Sequence, residues 1–374
     1  MHPHPTLRRV SPLIALAAGL SLNAQATPPP APTPATPTLT VNAQLVNLPV
    51  IVRDKNGALI TTLTQSDFAL ALALAVDGHP QPIRYFDRDN NLPLTLGLLV
   101  DISGSVRSAL EDERTASEAF LDQMVPAPAG RLPDQAFLIE FAHEADLLQS
   151  LTPSVPKLRA ALSQVGVEDR NDSQSSGNSG GYGGHGRHGG FHGGGTTLYD
   201  AIFLASSDLM QKQQGRKAVI VLTDGEDRGS METMASAIPA AQRAETVVYA
   251  IYFKGEQHPS GGYGHGGFGG RGGFPGGGGY PGGGGGRREE QHVDGRKVLA
   301  QITGETGGRM FEVKGKQTFA AIYSQIGDEL RSQYRLGYVP NADAASAGFH
   351  RVDLTLTKDK KLYIQTRNGY YAGQ

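Results

Sequence analysis

The stretch Leu94–Val100 (LTLGLLV) most constrains what this chain can fold into. A continuous apolar run must be covered on both faces, and that is the situation of a parallel strand between two helix layers. The run stops abruptly at Asp101-Ile102-Ser103-Gly104-Ser105. Helical and strand periodicities then alternate. Val106–Val125, Pro156–Val165, Thr197–Gln213, Met231–Ala244, Val298–Thr303 and Phe319–Arg331 read as helices. Gln135–Phe141, Ala218–Thr223, Val247–Phe253 and Met310–Val313 read as strands. This alternation predicts an α/β fold over residues 92–332: a doubly wound, mostly parallel sheet with helices on both faces.

The flanks have a different period. Residues 39–91 alternate apolar and polar through LTVNAQLVNLPVIVRD, turn at Asp54-Lys55-Asn56-Gly57, and continue as strands in ALITTL, FALALALAV and PIRYF. Strands return after the α/β region at Tyr334–Val339, Arg351–Thr357 and Leu362–Thr366. Each set has too few strands to be stable alone. Residues 39–91 and 333–374 are therefore expected to pair as two halves of a small β-sandwich-like domain, with the α/β unit inserted between them.

Before these, Arg8 and Arg9 precede the apolar run Leu13–Leu22, and Ala24-Gln25-Ala26 supplies the small residues of a cleavage site. Residues 1–26 read as a secretory signal peptide, and residues 27–38 (TPPPAPTPATPT) as a Pro-rich linker. No later apolar run is long enough to span a bilayer, so the mature chain is expected to lack a transmembrane segment. Of the 50 glycines, most fall in residues 171–195 and 255–290, which read as disordered insertions unable to bury enough apolar surface to order themselves. With 34 basic and 36 acidic side chains the formal charge is −2, which offers no electrostatic footprint for nucleic acid. The absence of cysteine excludes disulfides, thiolate metal sites and cysteine nucleophiles.

The chemistry left is that of oxygen and imidazole. In an open parallel sheet, functional groups gather beyond the carboxyl ends of the strands. Two predicted strands end there in acid-bearing loops, Asp101-Ile102-Ser103-Gly104-Ser105 and Thr223-Asp224-Gly225-Glu226-Asp227, and Gly195-Thr196-Thr197 opens a helix between them. Two carboxylates and three hydroxyls on one rim suit a hard divalent cation that keeps an open position for an outside acidic ligand: Mg2+, or else Mn2+ or Ca2+.

The order D-x-S-x-S, Thr after a Gly-rich loop, then T-D-G resembles the metal-ion-dependent adhesion site (MIDAS) of von Willebrand factor type A domains. The flanking segments VNLPVIVRDKNGALITTLTQSDF, VDGHPQPIRYF and SQYRLGYVP are similar to those of the VWFA-related domain proteins abundant in Acidobacteria, which are exported. The likeness implies hydroxyl ligation by Ser103, Ser105 and Thr196, with Asp101 and Asp224 reaching the metal directly or through water. Thr197 is the alternative to Thr196, because the glycine insertion abuts both. Glu226 and Asp227 read as rim charges, and Asp200 as a capping or solvated side chain.

These readings converge on an exported, periplasmic or secreted, non-enzymatic binding module whose metal is completed by a carboxylate from a protein or matrix ligand. Its oligomeric state is not legible. Two other readings stay open: an envelope scaffold acting through its Gly-rich loops, and a magnesium-dependent hydrolase. For hydrolysis the chain has no G-x-S-x-G elbow, and His79, His143, His292 and His350 follow no motif. His185, His188 and His192 in the first insertion offer a second, flexible metal tract.

Overall fold

The computed structural model describes residues 45–64, 72–88, 92–126, 132–166, 195–254, 294–340, 346–356 and 361–373. The expected signal peptide, Pro-rich linker, nearly all of both glycine insertions and the three histidines of the first lie outside them.

The strands, in chain order, are β1 (Val46–Arg53), β2 (Leu72–Val76), β3 (His79–Gln81), β4 (Tyr85–Asp87), β5 (Leu94–Asp101), β6 (Gln135–Phe141), β7 (Ala145–Thr152), β8 (Arg216–Thr223), β9 (Val247–Tyr252), β10 (Met310–Glu312), β11 (Tyr334–Tyr338), β12 (Gly348–Leu356), β13 (Tyr363–Gln365) and β14 (Gly369–Ala372). The α-helices are α1 (Leu110–Met124), α2 (Val155–Leu162), α3 (Leu198–Leu204), α4 (Met234–Arg243), α5 (Gly295–Thr306) and α6 (Phe319–Arg331).

The central sheet has the order β10-β9-β8-β5-β6-β7. All its pairings are parallel except β6 with β7, so the expected doubly wound, mostly parallel sheet is present. Every residue of β5 is buried, as its apolar run requires. Leu96, Leu98 and Val100 face a layer built from α1, α2 and α6, whereas Leu99 faces α3, α4 and α5. Gly97 is dictated by packing, since a Cβ there would lie 2.4 Å from the Phe137 ring on β6.

Strands from both ends of the chain share two further four-stranded sheets, β13-β1-β11-β4 and β14-β12-β2-β3. Val46, Leu48, Val50 and Val52 of β1 pack with Tyr334, Leu336 and Tyr338 of β11, Val352 of β12 and Tyr370 of β14 in one apolar cluster. The Asp54–Gly57 turn forms as expected, with Gly57 at φ 86° and the Asp54 carboxylate accepting from the Asn56 and Ala58 N–H groups. The segment ALITTL differs from expectation: it contributes one bridge, Leu59 to Arg53, and is otherwise irregular. Its hydrogen-bonding capacity is partly taken by the Tyr334 hydroxyl, which donates to the Ile60 carbonyl and accepts from the Leu63 N–H.

Polar groups are also buried between α1 and α6. Glu113 is wholly buried, and its carboxyl accepts from the Ser117 hydroxyl at 2.5 Å and lies 3.1 Å from the Tyr323 hydroxyl. Burial pushes its pKa up from the ordinary 4.5 to about 7, against the lowering effect of these hydrogen bonds. The folded state thus holds a proton that the unfolded chain releases near 4.5, so stability is greatest below that pH and falls as pH rises to about 7. Chemical denaturation of wild type between pH 4.5 and 7.5 should show this decline, and Glu113→Gln should flatten it. An unchanged slope in Glu113→Gln would assign the pH dependence to other groups.

Candidate metal centre

The carboxyl ends of β5, β6 and β8 meet at one rim, because β5 lies between β8 and β6 in parallel register. Asp101, the last residue of β5, is completely buried. One of its oxygens accepts from the Ser103 N–H at 2.8 Å, and the other from the Thr223 hydroxyl at 2.6 Å. Thr223 ends β8, and its hydroxyl in turn accepts from the Gly225 N–H at 3.0 Å. The two acid-bearing loops are thereby tied together at their roots.

Above them, the Ser103 and Ser105 hydroxyls are 3.2 Å apart, and the Ser105 hydroxyl donates to Asp224 at 2.6 Å. The other Asp224 oxygen accepts from the Glu226 N–H. In an octahedral shell with bonds of about 2.1 Å, neighbouring oxygens are about 3 Å apart. The Ser103–Ser105–Asp224 spacings are of that size, so this donor set fits a small hard cation.

Asp101 carries the electrostatic strain of the site. Burial first, then the neighbouring Asp224 charge, raises its pKa from 3.8 to about 6 against the hydrogen bonds from Thr223 and Ser103. A buried carboxylate facing a second one is a position that a divalent cation would relieve.

The threonine loop stands at the end of β6. The Thr197 N–H donates to the Ala142 carbonyl at 2.8 Å, one residue past β6, while the Ile102 N–H donates to the Phe141 carbonyl at 2.9 Å. Thr196 and Thr197 are both buried. The Thr197 hydroxyl has no hydrogen-bond partner, and the Thr196 hydroxyl forms no hydrogen bond among the described residues. Of the five expected ligands, Asp101, Ser103, Ser105 and Asp224 are joined by direct or shared hydrogen bonds. Thr196 stands on the adjoining strand end, with its hydroxyl left free.

Two contributors were not legible in the sequence. His143 accepts from the Gly195 N–H at 3.3 Å through Nδ1, bracing the loop that carries Thr196. Asp200, read as capping or solvated, accepts from the Met231 and Glu232 N–H groups and so anchors the loop that follows Asp224. Both link chain segments distant in sequence, for which no local pattern exists. Asp227, read as a rim charge, accepts from the Ser230 hydroxyl, and burial raises its pKa. Two glycines complete the rim. Gly225 has φ 76°, and a Cβ on Gly295, the first residue of α5, would lie 2.1 Å from the Asp224 carbonyl oxygen. Among the described residues no group of three or more His, Asp or Glu side chains could hold a metal, so a cation would depend on these hydroxyls and two carboxylates.

An open, mostly parallel sheet bearing hydroxyls and carboxylates at its carboxyl rim defines an α/β domain with an oxygen-lined site. Residues 96–226 match the model of the von Willebrand factor type A domain, and the chain carries such a domain there. Among solved structures it is similar to BatB of Bacteroides thetaiotaomicron, at 16% identity over 63% of this chain and 97% of that one, with a TM-score of 0.39. It is also similar to a von Willebrand factor type A protein of Catenulispora acidiphila, at 11% identity over 89% and 75% of the two chains and a TM-score of 0.41. Proximal thread matrix protein 1 of the mussel byssus, whose structure is described as having a zinc-occupied MIDAS motif, matches at 13% identity over 67% and 48%, with a TM-score of 0.40. Comparison with curated proteins found no match.

Proposed function

We propose that the chain is an exported, divalent-metal-dependent protein-binding module. Asp101, Ser103, Ser105, Thr196 and Asp224 would hold Mg2+ or a similar cation, and a carboxylate from a protein or matrix partner would complete its shell. The observation that carries this reading is the cluster of Ser103, Ser105 and Asp224 oxygens at coordination-like spacing, set against the buried Asp101. With few protein charges on the ion, the metal would stay electrophilic enough to seat an outside anion. Thr196 is favoured over Thr197 because it is the residue next to the glycine run, and its carbonyl ties it to the rim loop by accepting from the Arg228 N–H, four residues after Asp224. Periplasmic or secreted placement rests on the N-terminal segment. Binding without catalysis rests on the sequence, in which no G-x-S-x-G elbow occurs and the histidines outside the first insertion follow no motif. No helix among the described residues is long and apolar enough to cross a membrane.

The test is capture from a native envelope fraction on immobilised full-length protein, with Mg2+ or with chelator. Partner recovery should need the metal and should be lost in Asp224→Ala while the variant keeps its circular dichroism spectrum. Equal recovery in chelator would overturn the proposal. Loss of recovery only on deleting residues 171–194 and 256–290 would favour the scaffold reading instead.

A further inference from the structure

The opposite end of the central sheet holds a second candidate site. A cavity of about 330 Å3 lies where the amino ends of β8 and β9 meet β1 and β11. That volume is within the range of small-molecule sites. Lys217 at the start of β8 and Asp224 just past its end are separated by most of the strand, about 23 Å at 3.3 Å per residue, so this cavity is remote from the metal rim.

Its walls carry polar groups that the fold leaves unused. Lys217 is half-buried, and its ammonium makes one hydrogen bond, to the Gln213 carbonyl at 3.2 Å. An ammonium has three donors. No carboxylate lies within ion-pair distance of it among the described residues, and burial lowers its pKa despite the attraction of Glu245. The side-chain amides of Asn47, Gln214 and Gln333 line the same cavity and form no hydrogen bonds among the described residues. Amides nearby are engaged: Gln135 donates to Gln213 at 3.0 Å, and Gln242 donates to Asn368 at 2.8 Å. The one acid in the wall, Glu245, faces the Arg367 guanidinium at 3.5 Å. A half-buried ammonium with a single partner, beside the half-buried Asn47 and Gln333 amides and the exposed Gln214 amide, gives this cavity the few convergent polar groups of a ligand site.

We propose that this cavity binds a small polar organic anion, held by the Lys217 ammonium on its charged group and by the Asn47, Gln214 and Gln333 amides on its hydroxyl or carbonyl groups. The Leu92 and Val247 side chains give the cavity an apolar wall for the ligand's carbon skeleton. The anionic group is a carboxylate or a phosphate, since an ammonium donates to either.

Calorimetric titration of the full chain with glucuronate, glucose 6-phosphate and glucose separates these cases. Saturable binding of either acid, with none for glucose, is the expected result, and the tighter acid identifies the anionic group. The bound acid should also protect Lys217 from acetylation by an amine-reactive ester, read by mass spectrometry. Lys217→Met should weaken binding about tenfold or more, the loss expected for a charge-assisted hydrogen bond. Gln333→Leu should weaken it several-fold and serves if Lys217→Met fails to fold. Asp101→Asn should bind the acid as wild type does. Absence of saturable binding by both acids, equal binding of glucose, or a folded Lys217→Met that binds normally would overturn the proposal.

Discussion

Asp101→Asn is expected to abolish magnesium-dependent stabilisation while leaving the metal-free protein as stable as wild type or more so. Asp101 is wholly buried, and its pKa of about 6 lies above the ordinary 3.8. Each pH unit by which a pKa is raised is worth roughly 1.4 kcal/mol, so keeping this group ionised at neutral pH costs about 3 kcal/mol. The sign follows directly. The folded state binds the proton more tightly, so this cost is absent below the ordinary pKa and grows as pH rises to about 6. Asparagine keeps the shape and removes the charge, so the metal-free variant escapes the penalty. Wild type should regain the difference on binding the cation, by about 2.7 kcal/mol at a hundredfold excess over Kd. Thermal melts of both proteins at pH 7.5, with Mg2+ and with chelator, measure this. A variant that melts well below metal-free wild type, or that still responds to Mg2+, would contradict it.

Glu329→Ala is expected to be the most destabilising single change outside the apolar core. Glu329, in the last turn of α6, is 2% exposed, and one of its oxygens meets Arg53 of β1 at 2.5 Å and Arg309, just before β10, at 2.6 Å. Arg53 also donates to Gln365 of β13 at 2.9 Å, and Arg309 lies over the Phe311 ring at 4.1 Å. One carboxylate therefore joins the strands flanking the central sheet to its last helix. Its removal leaves the largely buried Arg53 guanidinium without its anion, facing that of Arg309, whose side chain is 38% exposed; removing one partner of a buried pair typically costs about 3–5 kcal/mol. Asp122→Ala, which breaks an exposed pair with Arg159, should lower stability far less, because water and salt screen such a pair. Urea titrations of the two variants give the comparison, and similar midpoints would show that the Glu329 cluster contributes no more than a surface pair.

Much of this architecture was legible because it rests on local pattern. The helix Phe319–Arg331 and the strand Gln135–Phe141 lie where their periodicities place them, and β5 follows from its apolar run. The helix expected over Val298–Thr303 extends to Gly295–Thr306, since the Asp294 carboxylate caps its first turn by accepting from the Arg296 N–H. Strand β7 was missed. Its sequence ADLLQSLT mixes polar residues with an exposed Leu147, as an antiparallel edge allows, and so carries neither the buried-run nor a clean alternating signal. The helix read over Thr197–Gln213 is α-helical only to Leu204 and continues as a π-helical stretch, Ala205–Met210. That change of hydrogen-bond pattern depends on packing and not on side-chain spacing.

The site divides the same way. Asp101, Ser103, Ser105 and Asp224 could be read because each follows or terminates a recognisable strand. The bracing by His143 and Asp200 could not, since a carboxylate that accepts from N–H groups some thirty residues away leaves no trace in local sequence.

The central claim is that the rim formed by Asp101, Ser103, Ser105, Thr196 and Asp224 holds a divalent cation. Anomalous diffraction from crystals grown in Mn2+ tests it most directly. The prediction is a single strong peak at this rim, within bonding distance of the Ser103 and Ser105 hydroxyls and absent from Asp101→Asn crystals. Manganese bound elsewhere on the chain, with no peak at the rim, would contradict it.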